Sequence, residues 1–280
     1  MSRERLKIGV VATASRMAPE VAERVPALAR SLYGEDAPEI VFHPEVLASA
    51  GHFAGDDATR ARAFLDVAND PSFDALWFAR GGYGACRIGE AVLAGLAPVA
   101  RAKTYLGYSD AGALLGGLYR AGFPHVAHGP VAQDIMRNGG DAAIARALAW
   151  LVDRNPETLE PSLGDGRKAA AFNLTVFSQL LGTALEPDLT DHVLMLEEVS
   201  EAMYRIDRSF FHVTSNASVR RVAGIRLGRC SLVPPNDPDF GMAEDAVARF
   251  WCERSGIPWL GRADIGHDAD NKIVPFGAAA

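Results

Sequence analysis

Strand-like and helix-like segments alternate five times in the first 153 residues, and this rhythm restricts the fold more than any other feature. "LKIGVVATA" (6–14), "EIVFHPE" (39–45), "FDALWFAR" (73–80), "KTYLGY" (103–108) and "FPHVAHGP" (123–130) are short apolar runs. Each is followed by apolar residues at helical spacing: 19–34, closed by Gly34; 56–70, opened by an aspartate cap; then 84–96, 110–122 and 139–153. Strands separated by helices pair in parallel, so a sheet covered on both faces by helices is expected. Ligands of such sheets sit beyond the carboxyl ends of the strands. Two unusual corners, "FARGGYG" and "LGYSDAG", both lie at such ends.

The polar stretch 153–168, rich in proline and glycine, reads as a linker between a domain over 1–152 and a smaller α/β domain over 169–280. In the second domain 170–183 reads as helical, "HVLMLEE" (192–198) as a strand and 202–216 as a helix. "RVAGIRLG" (221–228) reads as a strand, 229–241 as a long loop, and 243–256 as a helix. A short strand in "IPWLGR" (257–262) ends the regular part.

Composition narrows the function by exclusion. The 280 residues are 49% apolar and 22% charged, with a formal charge of −7. No basic block offsets that charge, so a nucleic-acid partner is not expected. No run approaches a membrane span, and the charged start followed by Ile8–Ala14 reads as a buried strand rather than a leader. Cys86, Cys230 and Cys252 form no CxxC pair and read as reduced thiols, so a cytoplasmic location is expected.

Ser109 sits at a strand-to-helix corner, where the first helical amides lack internal partners and can stabilise an oxyanion. Gly107–Tyr108–Ser109–Asp110–Ala111 resembles a G-x-S-x-G elbow without its second glycine, and a plain helix cap explains Ser109 and Asp110 equally well. Gly81, Gly82 and Gly84 in "ARGGYGACR" permit close backbone approach to a ligand. That loop lacks the Lys-Ser/Thr ending of a phosphate loop. Arg80 and Arg87 are candidate anchors for a substrate carboxylate, or solvated surface charges. Glu197 and Glu198 end a strand on opposite faces, and alternation alone does not say which faces a site. His128 and His267 are rival bases. His128 with the acids of "HDAD" matches no zinc spacing, so neither a metal nor another cofactor is expected.

Five ordered segments together resemble the LD-carboxypeptidases, serine peptidases of the murein tetrapeptide carboxypeptidase and microcin-immunity type. They are "RGGYGACR" (80–87), "GYSDAGALL" (107–115), "HGP" (128–130), "VLMLEEVSEAMYRIDR" (193–208) and "GIPWLGRADIGH" (256–267). The resemblance implies an N-terminal α/β domain of the class I glutamine amidotransferase-like type, a smaller C-terminal α/β domain, and an active site at their interface. It implies catalytic Ser109, Glu197 and His267, with backbone amides of Gly82 and Asp110 as the oxyanion hole. Arg80, Tyr83 and Arg87 become candidate substrate contacts, a muropeptide the substrate, and a homodimer the expected assembly. Gly112 replaces the family's threonine, Ala171 and Phe172 its glycines before Asn173, and "TAS" (13–15) its usual "APS". The expected activity is release of terminal D-alanine from murein tetrapeptides in peptidoglycan recycling. The alternatives are an immunity-type hydrolase of peptide–nucleotide conjugates and a non-catalytic peptide-binding module.

Overall fold

A computed structural model describes residues 5–164 and 166–278. Asp165 of the expected linker, and residues 1–4 and 279–280 of the expected domains, lie outside the described residues. The first half follows the predicted alternation: β1 (Lys7–Val11), α1 (Val21–Tyr33), β2 (Glu39–Phe42), α2 (Asp57–Ala68), β3 (Ala75–Phe78), α3 (Ala85–Gly95), β4 (Thr104–Gly107), α4 (Gly112–Arg120), β5 (Val126–His128) and α5 (Gly140–Asp153). Asp56 caps α2 by accepting from the Thr59 amide. The second half contributes β6 (Lys168–Asn173), α6 (Leu174–Leu180), β7 (His192–Val199), α7 (Met203–Ser215), β8 (Gly224–Ser231), α8 (Glu244–Ser255), β9 (Trp259–Arg262), β10 (Val274–Pro275) and β11 (Gly277–Ala278).

These strands make a six-stranded sheet, β10-β5-β4-β3-β1-β2, and a five-stranded sheet, β11-β6-β7-β8-β9. All pairings are parallel except those of β10 and β11, which run antiparallel along one edge of each sheet. The C-terminal segment therefore belongs to both sheets. Its β10 pairs with β5, setting Val274 opposite His128, and its β11 pairs with β6. Pro275 is tolerated because β10 is an edge strand. The strand order of the first sheet reverses between β1 and β3, which opens a crevice beyond their carboxyl ends.

Two predicted elements differ. The expected helix over 170–183 begins with the strand β6, and the helix starts only at Leu174, capped by the Asn173 side chain accepting from the Val176 amide. Alanines favour a helix in isolation. Here Ala169 and Ala171 pack on one face of the sheet, and Ala170 and Phe172 on the other. Burial on both faces overrides that local preference. The regular structure also continues past 262, because β10 and β11 are too short to show any periodicity. Within the expected linker, Leu159 bridges to Ile273 and Glu160 accepts from the Asp264 amide, so this stretch is stitched to the C-terminal segment.

One irregularity aims the Glu197 side chain. Between Leu196–Leu227 and Glu198–Cys230 the β7/β8 register shifts, so Gly228 and Arg229 together oppose Glu197. Such a bulge bends the strand and re-aims its neighbour. A Cβ on Gly228 would lie 2.7 Å from the Ile265 carbonyl oxygen and 2.8 Å from Glu197 Cβ. Gly228→Ala is therefore expected to destabilise the fold by about 1–3 kcal/mol, seen as a lower urea midpoint with an unchanged slope. An unaltered midpoint would show that this close approach is not required.

Candidate functional site

Ser109 follows β4 at a backbone φ of +60°, a left-handed conformation that a serine adopts only under constraint. The next turn, Ser109–Ala111, is 3-10 helical and leads straight into α4. The constraint comes from the glycine loop after β3. A Cβ on Gly81 would sit 2.8 Å from Ser109 Oγ, and one on Gly82 would sit 2.5 Å from Ser15 Oγ. Gly82 and Gly84 both have positive φ, +119° and +138°. Only glycines let this loop lie between the serine turn and the loop after β1. Among the described residues, no acceptor takes the N–H of Gly82 or of Asp110.

The Asp110 carboxylate ties the two corners together. It is buried and accepts from the Ala85 amide at 2.8 Å, the first residue of α3. Burial pushes its carboxyl up to about 6, against the pull of the Ala85 and Gly84 amides and of Arg60. Arg60, fully buried, donates to the carbonyls of Thr13 and Gly84 and pairs with Asp57. The ends of β1 and β3 are thereby stitched to α2.

The strand-end glutamates separate as alternation requires. Glu198 is a structural cap: its oxygens accept from Asn173 Nδ2 at 2.8 Å, the Val199 amide at 2.8 Å, and the Thr175 amide and hydroxyl at 2.9 and 2.6 Å. Glu197 points the other way, toward the seam between the sheets, and is fully buried. His267 lies in the segment joining β9 to β10, anchored in one sheet at its start and in the other at its end. His267 Nδ1–H donates to Glu197 Oε2 at 2.5 Å, and Ser109 Oγ–H donates to His267 Nε2 at 3.0 Å. Burial alone would lower the imidazole pKa; the Glu197 carboxylate, by charge and hydrogen bond, outweighs it and the net shift is upward.

Side chains with no sequence signature hold that histidine. Arg229 forks onto Asp264 and Asp268 on either side of it. Asn271 accepts from the Gly266 amide at 3.1 Å and from His128 Nε2–H at 3.1 Å. Arg146 donates to the carbonyls of Ala269 and Asn271, and Arg137 to that of His267 itself. Apart from the local bond between Asn271 and the Gly266 amide, these are contacts of polar side chains with groups distant in sequence, which spacing cannot reveal. His128, the rival base, is buried, and burial lowers its pKa to about 4. It is a neutral strut in the frame. Of the two "HDAD" acids, Asp268 is engaged with Arg229, which also holds Asp264.

A cavity of about 450 Å³ opens over this chain of groups, lined by Arg80, Gly81, Gly82, Ser109, Arg137, His267 and their neighbours. Arg80 therefore lies where the sequence suggested. Arg87 and Tyr83 do not line it. The Arg87 guanidinium is clamped on Asp57, Nε at 3.0 Å from both oxygens and Nη2 at 2.7 Å from one. The Tyr83 ring is 52% exposed and lies near His52 and Phe53. The resemblance drew both into the contact set through a shared loop motif, but the loop turns their side chains toward α2 and the 52–53 segment.

Comparison with known proteins gives a matching picture. Residues 8–129 match the family profile described as the LD-carboxypeptidase N-terminal domain, and residues 168–280 the one described as its C-terminal domain. A Synechocystis protein provisionally named a carboxypeptidase is 30% identical over 86% of this chain and 80% of its own. The murein tetrapeptide carboxypeptidase of Pseudomonas aeruginosa is 26% identical over 98% of this chain and 92% of its own. The solved muramoyltetrapeptide carboxypeptidase of Oxalobacter formigenes superposes with a TM-score of 0.76 at 21% identity, covering 96% of this chain and 93% of that one. Microcin C7 self immunity protein MccF, in its wild-type apo state, superposes at 0.74 with 17% identity, covering 97% and 91%.

Asp110 generates a stability prediction. Its folded pKa, about 6, lies above the ordinary 3.8, so between those values the native state binds the proton more readily than the unfolded chain. Its favourable contribution is full below the lower value and is lost as pH rises through the higher one. Asp110→Asn should remove that dependence, so the unfolding free energy of the variant relative to wild type rises between about pH 4 and pH 6.5. A pH-independent difference would contradict the assignment.

Proposed function

The chain belongs to the LD-carboxypeptidase family, and on that footing we propose that it cleaves the amide between meso-diaminopimelate and the terminal D-alanine of murein tetrapeptides, as a serine peptidase using Ser109, His267 and Glu197. One observation carries the reading: the unbroken hydrogen-bonded line from Ser109 Oγ through the imidazole to the buried Glu197 carboxylate. His267 Nε2 takes the serine proton as Oγ attacks the carbonyl, then returns it to the departing amine nitrogen. Glu197 fixes the tautomer and stabilises the imidazolium that forms. The free amides of Gly82 and Asp110 receive the oxyanion, on a turn whose strain holds Oγ forward. Water then attacks the acyl-serine by the same proton route in reverse.

The murein carboxypeptidase relatives support the substrate class. The MccF likeness, at 17% identity, speaks for the fold alone. Among the described residues no helix is long and apolar enough to cross a membrane. We take the protein to work as a homodimer in the cytoplasm, on peptides returned from the cell wall.

Incubation with a tetrapeptide should release D-alanine, and Ser109→Ala should lower kcat by at least about 10⁴-fold without loss of folding. Retained turnover in that variant would remove the nucleophile. The raised His267 pKa gives a second test. Only the neutral imidazole accepts a proton, so activity falls on acidification through that pKa, which lies above the ordinary 6.5. Glu197→Gln should cut kcat by about 10²–10⁴-fold and move the acid limb to lower pH. A limb that stays in place would show that Glu197 does not set the base.

A further inference from the structure

The Ser109 cavity offers cations but no uncommitted acid. Its ionisable lining consists of Arg80, Tyr108, Asp134, Arg137 and His267. Asp134 is buried and its oxygens are occupied: it accepts from Tyr108 Oη–H and the Val131 amide, each at 3.1 Å, and pairs with Arg137 Nε at 2.7 Å. Arg137 is held by that pair at one corner of its guanidinium and by the His267 carbonyl, through Nη1, at another. Nη2 meets no acceptor among the described residues, and the side chain keeps 38% exposure.

We propose that Arg137 is the specificity-determining residue of this site, its Nη2 binding the α-carboxylate of the substrate's C-terminal residue and so restricting cleavage to the last bond. The inference rests on the functional reading above and adds the residue that makes the enzyme an exopeptidase. In the departing amino acid, the carboxylate carbon is two bonds from the nitrogen that His267 must protonate. A cation reading that carboxylate has to sit on the same side of the scissile bond as the base. Arg137 is bonded to the backbone of the base itself. Arg80 is placed differently: Nη1 donates to the Arg16 carbonyl at 3.1 Å, and the side chain also lines the adjoining hollow formed by Arg16, Met17 and Leu47. Its neighbours are the glycine-loop residues that face the oxyanion. Arg87 is removed from contention by Asp57. A guanidinium fixed at two corners is pre-organised, so binding costs little further side-chain entropy.

The test compares two substrates, a murein tetrapeptide ending in D-alanine and the same peptide ending in D-alaninamide. A charge-assisted hydrogen bond predicts that wild type prefers the free acid in kcat/KM by about 10–100-fold. Arg137→Met should bring that ratio close to one, Arg137→Lys should leave an intermediate ratio, and Arg80→Met should keep the wild-type ratio. The ratio cancels any general loss caused by disturbing His267. A full preference persisting in Arg137→Met, or collapsing in Arg80→Met instead, overturns the proposal. If the methionine variant does not fold, a wild-type ratio in Arg137→Lys overturns it equally. Wild-type protein that cleaves the last bond of neither peptide, releasing neither D-alanine nor D-alaninamide, refutes the functional reading first, and the anchor with it.

Discussion

Ser109 follows a strand of one sheet, Glu197 ends a strand of the other, and His267 hangs on a segment stretched between the two. A hydrogen-bonded line through those groups exists only if the sheets keep their distance within a few tenths of an ångström. The C-terminal segment supplies that control. By pairing β10 with β5, it sets Val274 beside His128, which itself stands opposite Gly107, two residues before Ser109. By pairing β11 with β6, the same segment grips the sheet whose next strand, β7, carries Glu197. The small apolar layer between the sheets, including Ala171, Met195, Ile265 and Val274, fills the seam below the site.

Around this line the protein buries several polar and charged side chains, Asp110, Asp134, Arg60, His128 and Asn271. Burying charge is costly unless each group is paired and hydrogen-bonded. Their pairing here joins segments distant in sequence, so the same bonds that offset desolvation also define the site. Asp110 joins the serine turn to α3, Arg60 joins two loops to α2, and Arg229 grips both flanks of the histidine. Buried networks of this kind rigidify the segments they join.

The parallel sheet was legible because its strands are buried on both faces and its helices repeat their apolar residues at regular spacing; these are local signals. Ser109 and the glycine loop were legible for a related reason: a hydroxyl and several glycines at a strand end are chemically odd. β6 was hidden because "AAAF" is helical by propensity and becomes a strand only between two covered faces. The choice between Glu197 and Glu198 was invisible to alternation, since it depends on which face α6 covers; the resemblance selected Glu197, and its side chain does face Ser109 and His267. Arg137, Arg229 and Asn271 carried no signal at all. Arg137 and Arg229 act through a carbonyl and acids, and Asn271 through the Gly266 amide and the His128 ring, whereas Arg87 sat in a recognisable motif and turned out to serve Asp57.

The central claim is that the imidazole is already held between carboxylate and hydroxyl in the resting protein. Proton NMR of the unliganded enzyme reads this directly. A proton on His267 Nδ1 shared with the buried Glu197 carboxylate should resonate far downfield of the other imidazole N–H signals and vanish in Glu197→Gln. A resting spectrum without that signal, or one in which it survives the substitution, would contradict the account.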